Sequence, residues 1–490
     1  MNESRKRGTG AEAGTEAADD PGRVSWRLRL KPGRERSLLL HHPWVFDGAV
    51  ADVEALSGAE AGAVGDVVAH DGAFLARATI HPDSAIIARV LAWEPRPIDL
   101  DLFVERVDRA VSFRRSLCDE TRTDCWRAIN AEGDELPGLV ADRYGSVVVT
   151  QTLTAGMLRL RPFWLEAIRR VLEPETVIER GEKARRESVE DDAGSAEPLL
   201  GPAVAGPREV RENGMRFLVD LASGQKTGFY LDQRENRATA SARARGAEVL
   251  NLFGYTGSFS VAAGMGGARR VLQIETSAPA RELARANWDR NGLDPAAFEL
   301  SGEDAFHFLR TDARNWDLLV LDPPPFARER GSVERAARAY KDLHLWSFCR
   351  ARPGALIWSF CCSQQVDSDL FQKIVFGAAR DAGASVQWLS RLGPGPDHPV
   401  HLDHPQGEYL KGLLLRVLRP GTVPVPAAER LGAGAQLPPR AERRDTGAQL
   451  PARAEHGRRP NPTGGAGTAA GKTRRRDASP GTRKHGPIVP

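Results

Sequence analysis

The side chains with chemistry to offer fall within residues 253–363, and most of them follow a short apolar run. Phe253-Gly254-Tyr255-Thr256-Gly257 comes directly after Val249, Leu250 and Leu252. Glu275 closes the run Val271-Leu272-Gln273-Ile274, and Asp304 lies just beyond FELSGE. Asp322-Pro323-Pro324-Pro325-Phe326 follows LLVL, and Cys361-Cys362-Ser363 ends ALIWSF. Short apolar runs of this kind are the mark of buried parallel strands. In open α/β sheets, ligands bind beyond the carboxyl ends of such strands.

A carboxylate at the end of the second strand, here Glu275, commonly accepts hydrogen bonds from two ribose hydroxyls, which points to a nucleoside cofactor. A dinucleotide needs Gly-x-Gly-x-x-Gly, so that a helix N-terminus meets the pyrophosphate. The turn here is Gly-x-x-Gly flanked by Phe253 and Tyr255 and lacks the middle glycine. S-adenosylmethionine carries no phosphate and suits the turn better; the plain alternative is an ordinary βαβ turn. Asp304 is placed to meet an adenine amino group. Asp322 with its prolines forms a rigid turn whose carboxylate and carbonyls can take an amino group of a flat base, with Phe326 to stack on it. Paired cysteines at a strand end are most simply inert core residues. Beside a base site, one of Cys361 and Cys362 is also a candidate nucleophile.

These positions need a scaffold, and the pattern after residue 248 supplies one. Strand-like and helix-like segments alternate, which predicts a doubly wound, mostly parallel sheet with an antiparallel final strand pair. Earlier, residues 23–95 read as short strands broken by Gly-Asp, Asp-Gly and His-Pro-Asp turns, the pattern of a small β-barrel. It is either a structural cap or an RNA platform in which Arg27, Arg29, Lys31, Arg34 and Arg36 meet phosphates. Residues 96–211 combine two amphipathic helices with a hairpin around Arg143-Tyr144-Gly145, and 180–208 read as an exposed loop. Residues 212–420 form the domain that carries the candidate site. Residues 1–22 and 421–490 are too polar and Gly/Pro-rich to build a core and are expected to be disordered.

Charge divides the same way. The net charge of +3 hides a tail, residues 421–490, with 13 Lys/Arg against 5 Asp/Glu, so the other 420 residues carry a net −5. Any nucleic-acid site in the folded part must therefore be a local patch. There is no 18-residue apolar run and no secretory signal, and five cysteines fit neither a disulfide framework nor a zinc site. A cytoplasmic location, no membrane and no metal are the expectations.

Motifs spread over residues 24–419 resemble the PUA-domain-containing, S-adenosylmethionine-dependent methyltransferases that make 5-methylcytosine in bacterial large-subunit ribosomal RNA. They are HPWVF at 42–46, EGDELPGLVADRYG at 132–145, SGQKTGFYLDQRENR at 223–237, LFGYTGSFSVAA, LDPPPF, SFCCS, and GPDHPVHLDHPQGEYLK at 395–411. The resemblance implies an α/β fold: a C-terminal Rossmann-like class I methyltransferase, an N-terminal PUA barrel and a middle α/β domain. Its cofactor would be S-adenosylmethionine, held by Phe253, Gly254, Tyr255, Thr256, Gly257, Glu275, Asp304 and Asp322. Its partner would be large-subunit ribosomal RNA, met by Lys226, Tyr230, Arg234, Pro323 and Phe326, with monomer and homodimer both left open.

The same resemblance favours Cys362 as nucleophile, although Cys361 adds a second thiol beside it. Cytosine C5 is a poor nucleophile. Addition of a thiolate at C6 makes C5 enamine-like and able to take a methyl group, after which the C5 proton leaves and the thiolate is expelled. Asp322 would bind the N3/N4 edge, and Asp397 and His398 are the candidates for the base. Lys226, Arg234 or a helix N-terminus would favour the thiolate. Two rivals stand: an enzyme of this fold that methylates a base nitrogen without a cysteine, and an inactive protein that binds ribosomal RNA during assembly.

Overall fold

The structure, a computed structural model, describes residues 20–180, 198–222, 228–326 and 333–422. The expectations for 1–22 and 421–490 fall almost wholly outside these residues, as does the one for Lys226.

The chain first builds a six-stranded sheet from Val24–Leu30, Trp44–Phe46, Val50–Ala55, Val64–Val68, Phe74–Ile80 and Ile86–Ala92. Its two outermost strands, Trp44–Phe46 and Val50–Ala55, are consecutive in the chain and joined by the 3-10 turn Asp47–Ala49. The two edges are therefore close together, as in a barrel. Alternation in the first strand buries Leu28 and Leu30 and leaves Arg27 outside. Arg27 pairs loosely with Glu54 at 3.4 Å, and Arg34 and Arg36 are exposed.

A second sheet of five strands follows: Cys125–Asn130, Leu139–Tyr144, Val147–Thr152, Thr176–Glu179 and Pro198–Leu200. Helix Leu100–Leu117, capped by Asp99 through Leu102 N at 3.1 Å, and helix Arg161–Leu172 pack against it. A single apolar cluster joins Val64, Leu91 and Ala92 of the first sheet to Phe103, Trp126 and Trp164 of this layer. The first two modules thus share a core across residue 95. Part of the loop expected over 180–208 is strand instead: Pro198–Leu200 pairs antiparallel with Thr176–Glu179, because Leu199 and Leu200 pack on the same core. A hairpin of Arg208–Glu212 and Met215–Val219 leads into the last domain.

That domain is a seven-stranded sheet. Its strands are β1 (Glu248–Leu252), β2 (Arg270–Ile274), β3 (Phe298–Ser301), β4 (Trp316–Leu321), β5 (Ala351–Cys361), β6 (Ser385–Leu392) and β7 (Lys411–Arg419). The order is β3-β2-β1-β4-β5-β7-β6, parallel through β5, with β7 antiparallel to both of its neighbours. Apolar clusters lie on both faces. One contains Tyr340, Leu343 and Phe371; the other contains Val249, Phe259, Trp288 and Trp358. The expected doubly wound sheet with an antiparallel last pair is what forms. Register matters for the site: Leu252 lies opposite Ile274 and Leu321, and Leu321 lies opposite Ser359. Residues 253, 275 and 322 therefore emerge level at one edge. No helix among the described residues is long and apolar enough to cross a membrane.

A histidine is sealed in this core among other buried polar groups. His344, fully buried, lies 2.6 Å from the Tyr340 carbonyl through Nδ1 and 2.5 Å from the Ser359 hydroxyl through Nε2. A carbonyl only accepts, so Nδ1 carries the proton and Nε2 takes the Ser359 O–H. Burial pushes its pKa down to about 4, against the partial opposition of the Tyr340 bond. The unfolded chain takes up this proton near ~6.5 and the folded one near 4, so the stability of the neutral ring is complete above that range and lost as pH falls through it. The expected loss between pH 7 and pH 4 is about 3 kcal/mol. His344→Gln, which can make both bonds without titrating, should lose distinctly less thermal stability over this range; parallel curves for the two proteins would contradict the assignment.

Candidate active site

The turn after β1 is strained, and its neighbours hold it. Phe253 has φ 60° and Tyr255 φ 46°, both in the left-handed region, as does Gly257 at φ 82°. Non-glycine residues held there cost of order 1–3 kcal/mol each. Two hydrogen bonds fix Tyr255 in place: its N–H donates to Glu275 Oε2 at 2.9 Å, and its carbonyl accepts from Gln273 Nε2 at 2.9 Å. Gln273 is itself immobilised, since its Oε1 accepts from Ser260 at 2.7 Å and Ser260 accepts from Asn251 at 2.9 Å. Asn287 holds the Thr256 carbonyl at 2.9 Å. Gly254 is needed here for space rather than for φ, because a Cβ would meet Gln273 carbon atoms at 2.4 Å.

Glu275 accepts from two backbone N–H groups, Tyr255 at 2.9 Å and Ser277 at 2.8 Å. A carboxylate offers about four lone-pair directions, so ribose hydroxyls can still be taken. Asp304 caps the helix Ala305–Thr311 with Oδ1 on His307 N at 2.9 Å and is otherwise exposed. A tight Gly-x-x-Gly turn with a carboxylate at the next strand end fits the adenosine and ribose of S-adenosylmethionine.

The third and fourth stretches meet next to it. Asp322 accepts from Gln233 Nε2 at 3.0 Å. The Pro323 carbonyl receives the Cys362 thiol at 3.5 Å, within reach for sulfur. Tyr230 lies edge-on to Tyr255 at 5.5 Å, and burial followed by Asp322, Tyr255, Asp232 and Cys362 pushes its phenol up. Phe326 packs on Phe306 at 5.9 Å and on Tyr340 at 4.8 Å. The cysteines part company here. Cys361 is fully buried in the apolar core and burial pushes its thiol up; Cys362 is half-buried at the turn.

Several expected roles need correction. Arg234 does not line the site. It is 2% exposed and pairs with Asp397 at 3.1 Å. Asp397 and His398, considered above as bases, are buried as well. The Asp397 carboxylate accepts from Arg127 N and Arg234 at 3.1 Å and from His398 at 3.2 Å, and its carbonyl accepts from Arg114 at 2.9 Å. They join domains. The sequence reading also missed Gln233 and Asn236, whose side chains lead to Asp322. Their only signal was an unbroken polar run, DQRENR, directly after the apolar FYL. Among the described residues, no group of three or more His, Cys, Asp or Glu could hold a metal ion.

Comparison with known proteins places the chain in a family. A family model for S-adenosylmethionine-dependent methyltransferases matches residues 122–416, and one for a PUA-like domain matches 28–93. Ribosomal RNA large subunit methyltransferase I of Cronobacter sakazakii is 39% identical over 401 residues, which is 81% of this chain and all of that protein. The protein of the same name from Escherichia coli K12 gives the same values. Among solved structures, a Streptococcus mutans chain described as a SAM-dependent methyltransferase superposes with a TM-score of 0.69 at 22% identity, covering 80% of this chain and all of its own. A methyltransferase complexed with SAH matches equally well. At that identity the likeness speaks to the fold.

Two substitutions test the turn. Gly254→Ala forces its Cβ against an amide that cannot give way, at a cost of about 1–3 kcal/mol, and should sharply weaken S-adenosylhomocysteine binding by calorimetry. Glu275→Gln removes a charged acceptor and should raise the Kd roughly 10- to 100-fold while the fold persists. Unchanged affinity in both would mean that the cofactor sits elsewhere.

Proposed function

The chain belongs to the S-adenosylmethionine-dependent methyltransferase family, and from that premise we propose that it methylates C5 of a cytosine in large-subunit ribosomal RNA through a covalent adduct on Cys362. The observation that carries this reading is the separation of the two neighbouring thiols. Cys361, the last residue of β5, is buried in the core, and Cys362, just past the strand end, lies against the Pro323 carbonyl. A nucleophile must be reachable by the base; a structural thiol need not be.

S-adenosylmethionine, bound at the 253–257 turn, supplies an electrophilic methyl group on a sulfonium. Every other task falls to the chain. Asp322 takes the amino edge of the cytosine and holds its ring beside Cys362. The Cys362 thiolate adds to C6, breaking the C5–C6 double bond and making C5 nucleophilic. Once C5 carries the methyl group, loss of its proton expels the thiolate and restores the ring. Tyr230, kept protonated by its surroundings, is a neutral hydroxyl at the same place. The target must be unstacked to reach this edge, which suits a looped or flipped nucleotide. Arg34 and Arg36, exposed in the segment that follows the first strand of the PUA-like sheet, supply phosphate contacts that fix the RNA in register. The names of the relatives support the RNA class of the substrate.

The test is methyl transfer from labelled S-adenosylmethionine to unmodified large-subunit RNA, followed by nucleoside identification. Label is expected in 5-methylcytidine. Cys362→Ala should lower the rate by about 10²- to 10⁴-fold and keep cofactor binding, whereas Cys361→Ala should stay near wild type. Label in an N-methylated nucleoside, with Cys362→Ala fully active, would replace this reading by base N-methylation on the same turn. Its absence altogether, without cofactor binding, would favour a protein that only binds RNA.

A further inference from the structure

A chain of amides runs from a backbone carbonyl to the Asp322 carboxylate, and its direction can be deduced. The Gly393 carbonyl can only accept, so the Asn236 group 2.9 Å away is its NH2. The second hydrogen of that NH2 points to the Gln233 side chain at 2.6 Å, which must present its oxygen. The Gln233 NH2 is thereby left facing Asp322 Oδ2 at 3.0 Å. Neither amide can flip without setting two acceptors, or two donors, against each other. Both are buried, Gln233 at 1% and Asn236 at 4% exposure, so water cannot stand in for either.

The backbone around the pair is pinned as well. Asp232 accepts from the Tyr409 hydroxyl at 2.6 Å, and its carbonyl accepts from Gly395 N at 2.9 Å. Arg234 is tied to Asp397, and Arg237 to Glu212 through Nε at 2.7 Å. Four of the six side chains in the run 232–237 are thus locked by partners far away in the chain, and a fifth locks Gln233. We infer that Gln233 is a positioning residue: its side-chain amide, oriented by Asn236, holds the Asp322 carboxylate in one orientation. A carboxylate that cannot rotate presents the same lone pairs to every base that enters.

This inference rests on the reading of Asp322 as the group that meets the base. Full-length wild type, Gln233→Ala and Gln233→Glu would be compared for single-turnover methyl transfer at saturating S-adenosylmethionine from pH 5.5 to 9, with S-adenosylhomocysteine affinity and thermal melting alongside. Gln233→Ala should slow transfer about 10- to 100-fold, with the Kd for S-adenosylhomocysteine changed less than about threefold. Gln233→Glu places two carboxyls 3.0 Å apart. At high pH they repel each other; at low pH the protonated glutamic acid can donate to Asp322 as the amide does. Its rate should therefore recover toward wild type on acidification, a behaviour that neither wild type nor Gln233→Ala shows. Gln233→Glu keeps the shape of the side chain, so it decides the matter if Gln233→Ala does not fold. A wild-type rate in Gln233→Ala, or a Gln233→Glu profile parallel to wild type, would overturn the inference. Transfer to a base nitrogen would overturn the cytosine-5 reading instead, and the pH comparison would still decide the role of Gln233 on that product.

Discussion

Asp397 is the constraint on which the remainder of the structure depends. Its carboxylate has no solvent exposure, and burial by itself would push the group up and neutral. His398, Arg234 and the Arg127 N–H outweigh burial and hold it well below the usual carboxylate range. Those donors come from different parts of the chain, and the Asp397 carbonyl adds Arg114, which is itself bidentate to Asp134 at 2.6 and 2.7 Å. A buried charge of this kind is tolerated only when all of its partners are in place together. The middle layer and the catalytic sheet therefore lock as one arrangement, with little tolerance for a partial one.

The consequence reaches the chemistry through the short helix Arg234–Ser241 and the residues just before it. Arg234 answers to Asp397, while Gln233, next to it, answers to Asp322. A shift at the domain junction is thus a shift of the amide that holds Asp322. Arg237 joins the same segment to Glu212 of the hairpin and holds the Tyr230 carbonyl at 2.9 Å. The strained turn of Phe253 and Tyr255 is sustained in the same manner, by Gln273 and Glu275 on the neighbouring strand. Both halves of the site owe their shape to buried polar groups with no slack.

Much of the architecture was legible from local pattern. Apolar runs of four or five residues, each ending in a turn or a carboxylate, predicted the strands of the catalytic sheet, the antiparallel last pair and the place of Glu275 and Asp322. Local pattern does not show which polar residues a fold will bury. Arg234, whose segment could line cofactor or RNA, and Asp397 and His398, candidates for the base, are each buried and paired. Pro198–Leu200 was expected as loop because its neighbours are Gly- and Pro-rich, and two leucines with a core to enter made it a strand.

What the sequence determined by itself was periodic and short-range: which segments are strands, which turn follows β1, and which carboxylates close the strands. These follow from side-chain alternation and backbone sterics within a few residues. Tertiary structure alone decided how deeply each of two adjacent thiols is buried, and which of six consecutive polar residues are tied to distant partners. Arg234 and Asp397 are 163 residues apart, and Arg114 and Asp397 are 283 apart. No local spacing encodes such partners, because burying a polar group becomes favourable only when the fold delivers its complement.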